Sequence, residues 1–486
     1  RRAEPSGVES VALQPTPLDD RSYDRERTAR KRGACSCQIG RVVFDPAALK
    51  VVPEWPLVYW WDEVALRAYG NYPLLGQSLA LSEGVKTGNE VRFTLYSHEV
   101  QTPGPSSPGW QFYIKGAKGT EWIEPSTDAI RWAHGGLELG VYAMYVAPGT
   151  VRLRDPSLYF ISGVAYPKIG STFSGRAHRA PSILGSAAPS VFGGDKAEVV
   201  CLLNSSFARG VLQDFNPGVN FQLSDVARLP LVPLEGAGAI VAALELAFTL
   251  HESHREPSVE FTHPGPSPWR QAQDWAQAAV DRPEGAPLPP YEPVYDPEPP
   301  TDHIGFALGV ALGRLGAKRE GILDPASADL SHALPAGILF LDGTLDPADH
   351  RDSLGHCAAA PLHAAWATHG RHIDTKRSNL RDYLALDFFS SVHRQLYENR
   401  AIHWPLSSSG KTFVVWANIH RWTGDTLTTL LADHLVPTLT RLDGELADLR
   451  TARDGADHKA GRAAEKRFAK VHKSRQELAE FIAAVE

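Results

Sequence analysis

Cysteine is scarce: four residues in 486, at positions 35, 37, 201 and 357. So few, so scattered, exclude a disulfide framework and point to a reducing, cytoplasmic compartment. Long apolar runs are also missing. No stretch approaches the roughly 18 uninterrupted apolar residues of a membrane span, and the charged, proline-containing first thirty residues lack the apolar core of a signal peptide. No membrane partner is therefore expected. An excess of positive charge is absent as well. Lys and Arg total 49 against 56 Asp and Glu, a formal charge of -7, so a nucleic-acid partner would have to be met by a local patch. What is present, 43% hydrophobic and 22% charged residues, excludes disorder and collagen and fits a globular chain with room for about three domains. The chain opens with Arg rather than Met, as a processed or truncated part of something longer would.

Familiar catalytic signatures are lacking too. SSSGKT (407–412) ends like a phosphate-binding loop but has no glycine at the required upstream position. HESH (251–254) lacks the spacing that sets two imidazoles on one helical face around zinc. Cys35 and Cys37 have no second pair to complete a metal site. Asn204-Ser-Ser fits a glycosylation sequon without a secretory signal. No GxSxG elbow and no GxGxxG occur. Gly305, Gly309 and Gly313 form a small-residue helix face, which in a soluble chain predicts close helix packing.

The texture of the chain divides it. Residues 1–45 lack periodicity, carry the basic run RERTARKR (25–32) and read as a flexible basic segment. From 46 to 235, short aromatic and apolar runs split by Gly and Pro predict a mixed α/β domain. Strands are expected at 56–61, 90–97, 110–115, 157–166 and 198–204, and helices at 61–69 and 202–212. Residues 236–301 read as a helix followed by the Pro-rich 286–300, a linker or a surface belt. From 302 to 486 apolar residues recur at helical spacing in 305–315, 381–397 and 426–449, and a charged Ala-rich tail follows. This part predicts a mainly helical domain ending in a solvated helix or helical hairpin.

Three stretches have a composition that a bare core does not need. In the first, Gly84 and Gly88 bracket Lys86 and Thr87, and Asn89 and Arg92 follow; the loop suits a phosphate, and equally a structural turn. In the second, Lys115 and Lys118 interleave with aromatics in WQFYIKGAKG (110–119), as backbone contacts do and as an ordinary amphipathic strand also does. The third, STFSGRAHR (171–179), follows Lys168. Its Arg176, His178 and Arg179 have the chemistry to enter a DNA groove, where Arg pairs with guanine.

Taken in order, GVKTGN, WQFYIKGAKG, GVAYPKIGSTFSGRAHRAPSILG and LNSSFARGVLQDFNPGVNFQLSDVARLP, then GFALGVALGRLG, RDYLALDFFSSVHRQLYENRAIHWPLSS and VVWANIHRWTGDTL, resemble one protein family. They are similar to the region after the catalytic domain in PglX-type adenine-specific DNA methyltransferases of BREX phage defence and the related DISARM and type IIG restriction-modification enzymes. The likeness covers roughly 50–235 and 302–440. The departure is equally clear: no NPPY-type motif occurs, NPGV (216–219) lacking the second proline and the aromatic.

The resemblance implies an α+β multidomain chain: a target-recognition domain, a helical spacer domain, and no Rossmann-like cofactor domain. S-adenosylmethionine would belong to the missing catalytic half, with no cofactor, metal or catalytic residue in this chain. The chain would be a C-terminal fragment, a split subunit or a degenerate copy. Its partners would be double-stranded DNA and a catalytic methyltransferase polypeptide or other defence subunits. Backbone contacts fall to Lys86, Thr87, Gly88, Asn89, Arg92, Lys115 and Lys118, and groove contacts to Lys168, Arg176, His178 and Arg179. His403, Trp404, His420, Arg421 and Trp422 are expected to pack as a structural cluster between the two domains. The rival readings are a non-enzymatic interaction or structural subunit of a defence complex, and a self-sufficient enzyme of unfamiliar type.

Overall fold

The computed structural model describes residues 9–13, 27–100, 104, 107, 109–117, 119–314, 333–455 and 458–486. It is a multidomain α+β chain whose helices surround several small sheets. Among the described residues no sheet has the parallel, helix-alternating order of a Rossmann-like domain, and no helix is long and apolar enough to cross a membrane.

Beside the two-stranded pairing of Ser10–Leu13 with Arg41–Phe44, two larger sheets lie in the first half. One runs, in spatial order, Ile183–Leu184, Trp110–Ile114, Asp128–Arg131 and Thr94–Tyr96; the other Ala80–Ser82, Ser190–Phe192, Gly163–Ala165, Arg176–Ala177 and Trp122–Ile123. Both are largely antiparallel, with a parallel strand at one edge. The strands are short because Gly and Pro interrupt them every few residues. A third, antiparallel sheet of Ile338–Asp342, Phe413–Asn418 and His403–Ser407 sits inside the part expected to be mainly helical. Alternation explains its burial. Leu339, Leu341, Val414 and Trp416 face a core with Leu308, Leu384 and Phe388. Ile338, Phe340, Phe413 and Val415 face Leu430, Leu442, Leu478 and Phe481. Helices therefore cover both faces. Of the second set, Leu442, Leu478 and Phe481 belong to a hairpin of Val436–Gly455 and His458–Val485, a helical hairpin as expected for the end of the chain, and Leu430 to the preceding helix Thr426–Leu430.

Several expected elements differ. EVVCLLN (198–204) is not a strand but part of the helix Lys196–Asn204, started by the Asp195 side chain accepting from Ala197 N. A short run that is apolar on every side satisfies a buried strand and a buried helix equally. Residues 56–61 form no strand; the indoles of Trp60 and Trp61 instead donate to Asp214 Oδ2 at 3.1 and 2.6 Å. The 90–97 run begins as a helical turn, Glu90–Phe93, and the 157–166 run is strand only at Gly163–Ala165. Among the described residues of 1–45, Arg27–Ser36 is a helix and Ser10–Leu13 pairs with Arg41–Phe44; residues 1–8 and 14–26 of the segment expected to be flexible lie outside the described residues.

Helices Ala237–His254 and Trp269–Val280 share one core with Trp122, Val164, Val200 and Leu203. The Pro-rich stretch after them is a belt over the second helix. Tyr291 packs on Trp275 at 4.8 Å, and the Trp275 indole donates to Pro289 O.

Candidate functional site

The loop carrying Gly84, Lys86 and Gly88 is built by close backbone approach. Val85 N donates to Leu184 O at 2.7 Å, and a side chain at Gly84 would stand 2.0 Å from that same oxygen, so only glycine fits. Gly88 has φ +67° and faces Thr150. Lys86 exchanges two backbone hydrogen bonds with Arg152, both at 3.0 Å. The glycines thus brace the loop against 150–152 and 184–185, and Lys86 is left exposed at the edge.

Around it lies an open cleft of about 410 Å³ lined by Glu83, Lys86, Arg152, Arg154 and Lys168. Glu83 is the one carboxylate among these five. Arg154 Nη2 reaches its Oε2 at 3.0 Å and Lys168 Nζ its Oε1 at 2.5 Å. Four cations around one anion leave a local surplus of positive charge. Lys86 and Arg152, both exposed, form no ion pair within the described structure. A second open space shares Glu83 and Lys168 and extends to Asn220, Phe221, Gln222 and Ser224. It arises because Phe221 N donates to Lys168 O and Gly170 N to Val219 O, which binds the 216–222 loop to the 166–170 loop. Three stretches distant in sequence therefore meet at Glu83 and Lys168. Sequence reasoning missed Glu83, Arg152 and Arg154; the alternating Val-Arg-Leu-Arg of 151–154 was the available signal.

The remaining expected contacts sit differently. Thr87 is buried. Asn89 caps the Glu90–Phe93 turn, its Oδ1 accepting from Arg92 N. Arg92 pairs with Glu138 at 2.9 Å and is half exposed; Lys115 pairs with Glu90 at 2.8 Å. Lys118 lies outside the described residues.

Of the expected groove readers, Lys168 lines the cleft, whereas Arg176 and His178 are buried. Arg176 is 0% exposed: its Nε donates to Glu124 and its Nη2 to Lys115 O. Burial pushes the Glu124 carboxyl up and the Arg176 charge pulls it down. His178 is also interior, between Ile161 O and Ser190 Oγ. Arg179 is tied to Glu260 and to Thr249 Oγ1 and stacks over Phe248. A basic stretch among glycines and serines reads as exposed, but long-range partners draw Arg176 and His178 into the core. Neither side chain is presented to a duplex.

The expected structural cluster divides. His420 Nε2 meets His98 O at 2.8 Å and His98 Nε2 meets Arg400 O at 2.9 Å, while Arg400 pairs with Glu99. His420 thus lies on a contact between the 96–100 segment and the 398–421 segment. Trp404 packs on Phe389 at 5.1 Å and is 39% exposed; Trp422 is 45% exposed, and Arg421 lies against Gly337. His403 is wholly buried with His393, their rings stacked 5.4 Å apart. Burial, aided by the Arg314 charge, pushes His393 down to about 3 and lowers His403 well below the usual histidine range. Beside them Glu256 accepts from Tyr397 Oη at 2.8 Å and pairs with Arg314 at 3.4 Å. The glycine face of helix Pro300–Ala311 opens on this cluster: a side chain at Gly305 would meet Glu256 Oε2 at 2.2 Å. Its small residues accommodate polar side chains there, not the close helix packing expected.

The decoy SSSGKT is a β-turn whose anion is internal. Glu477 accepts from Ser408 Oγ, Gly410 N at 3.0 Å, Thr412 N at 3.2 Å and Thr412 Oγ1 at 2.8 Å. His251 and His254 engage Ser267 Oγ and Pro266 O separately.

No protein-family profile matches the chain. Over 490 aligned positions it is 22% identical to the adenine-specific methyltransferase PglX of Lacticaseibacillus casei (strain Zhang). The alignment takes in 82% of this chain and 39% of that protein, so the chain spans about two fifths of the relative's length. The chain is thus distantly similar to part of a PglX-type protein.

Proposed function

We propose that the chain is a target-recognition and spacer part of a PglX-like adenine-specific DNA methyltransferase acting in phage defence, and that it grips duplex DNA. The supporting observation is the basic cleft of Lys86, Arg152, Arg154 and Lys168, formed where the segments similar to that family converge. Phosphate contacts would come from Lys86 and Arg152, which have no carboxylate partner among the described residues, with Arg154 and Lys168 beside them. The exposed amides of Asn220 and Gln222 stand next to Lys168. Asn and Gln match the paired acceptor and donor of adenine in the major groove, worth about 1–3 kcal/mol of discrimination per contact. This assignment moves base reading from the 176–179 stretch to the 216–222 loop.

In this reading S-adenosylmethionine is held outside this stretch; the reading rests on the lack of an NPPY-type motif in the sequence and, among the described residues, of a parallel sheet of Rossmann-like order. Methyl transfer is then assigned to a catalytic part outside this stretch, on the same polypeptide or on a second one. The test is duplex binding by the purified chain across a salt series, followed by methyl transfer on adding a polypeptide that carries the catalytic motif. Salt-dependent binding and restored transfer are expected. Absence of duplex binding at low salt would overturn the DNA reading in favour of a protein-interaction subunit.

A further inference from the structure

The interior cluster at the end of the glycine helix has unsatisfied chemistry. Glu256, His393 and His403 each offer a ligand atom, and these atoms lie within 4.8 Å of one another. The three residues are 3%, 0% and 0% exposed. Among the described residues, both ring nitrogens of His393, both of His403 and Glu256 Oε2 have no hydrogen-bond partner. Leaving a buried polar atom unpaired costs about 1–3 kcal/mol, so five together call for a group that engages them.

We propose that Glu256, His393 and His403 form a binding site for a divalent transition-metal ion of the zinc class. Two imidazoles and a carboxylate are a donor set for such an ion. Ligand atoms on a tetrahedral zinc stand about 3.4 Å apart; the donor atoms here lie within 4.8 Å of one another, and His393 Nδ1 is 3.9 Å from the other carboxylate oxygen, Glu256 Oε1, so side-chain shifts of about an ångström would close the set. The carboxylate is also oriented. Tyr397 Oη and Arg314 Nη1 engage Oε1, leaving Oε2 without a partner, as outer groups do that fix a metal-binding carboxylate. Space is provided by Gly305 against Glu256 and by Gly309, whose absent side chain would stand 3.6 Å from the His403 ring.

The three donors come from separate segments: the loop after helix Ala237–His254, the helix containing the π turn Phe389–His393, and the strand His403–Ser407. A metal here clips these segments together. Three protein ligands leave a coordination position for water, and the burial of all three donors shields the site from bulk solvent.

The test uses the untagged full-length chain. Metal content is measured after purification and again after chelation and dialysis, and cobalt(II) is then titrated into the chelated protein while its visible absorption is followed. About one metal ion per chain and the absorption of protein-bound cobalt are expected. His403→Asn and Glu256→Gln should each weaken cobalt binding by at least about tenfold, with unchanged far-ultraviolet circular dichroism. Glu256→Gln preserves shape and serves if His403→Asn fails to fold. A chelated wild-type chain that takes up neither zinc nor cobalt would overturn the site. So would uptake that is undiminished in both variants, because surface histidines such as His254 and His263, 4.9 Å apart, would then be the ligands. Neither result depends on DNA binding.

Discussion

Arg176 and Glu124 form an ion pair in the interior of the molecule, with the arginine side chain 0% and the glutamate side chain 12% exposed. The pair joins strand Arg176–Ala177 to the neighbouring strand Trp122–Ile123, and Arg176 Nη2 continues to Lys115 O. Removing one partner strands the other charge out of water, a loss of about 3–5 kcal/mol. Arg176→Ala should therefore lower the denaturation midpoint sharply. Arg176→Met combined with Glu124→Leu should recover most of that loss, since an apolar replacement of both partners removes the stranded charge. Duplex affinity per folded molecule should be unchanged in the double variant; a selective loss of affinity would return Arg176 to the DNA face.

The same pair shows where sequence reading succeeds and where it stops. A helical pattern marks the helix Ala237–His254, because burial against a core imposes a period on the chain itself, and the charged Ala-rich composition marks His458–Val485. The α+β class was legible for the same reason. What separates an exposed arginine from a buried one is a partner 52 residues away, and no local pattern records it. Lys86 and Lys168 were legible as cations beside turn-forming glycines. Their convergence with Arg152 and Arg154 on Glu83 was not, because it rests on backbone pairings such as Lys86 with Arg152. The glycine face of Pro300–Ala311 misled in the opposite way: small residues signal close approach without saying what approaches, and here it is the Glu256 carboxylate.

If the cleft at Glu83 holds phosphates, its cations act on the salt dependence of binding. Each phosphate neutralised contributes about -0.9 to the slope of log affinity against log salt. Lys86→Ala and Arg152→Ala should each flatten that slope by about 1, similarly for all duplex sequences. Asn220→Ala and Gln222→Ala should leave the slope in place and narrow the preference between sequences. A slope unchanged in Lys86→Ala/Arg152→Ala would place the duplex elsewhere.

Glu477 fastens the helical hairpin to the third sheet through the 408–412 turn. Burial opposes its charge, but hydrogen bonds from Ser408, Thr412 and Gly410 outweigh it and hold the carboxyl below the usual range. A carboxylate whose folded value is depressed stabilises the fold above its unfolded value and loses that contribution as pH falls through the folded one. Glu477→Gln should cost about 1–3 kcal/mol at neutral pH through the bonds it weakens. The gap between wild type and variant, read from chemical denaturation, should shrink as acid protonates the wild-type carboxylate.

His178 gives the fold an acid sensitivity with the opposite chemistry. Its Nδ1 lies 3.3 Å from Ile161 O, an acceptor, so that nitrogen carries the proton and Nε2 faces the Ser190 hydroxyl at 3.1 Å. Burial, against the backbone hydrogen bond and aided by the charges of Arg176 and Lys196, lowers its pKa from 6.5 to about 4. Between these values the unfolded chain binds a proton that the folded chain does not. Stability from this group is thus complete above about pH 6.5, falls as the pH drops towards 4, and changes little below that. The loss between pH 7 and pH 5 amounts to about 2 kcal/mol for this one residue. His178→Gln cannot be protonated there and should remove that share of the acid loss, whatever its cost at neutral pH. Denaturation midpoints at the two pH values, compared between wild type and variant, give the difference directly. Parallel pH dependences would mean that His178 keeps an ordinary pKa in the folded chain and is reached by water.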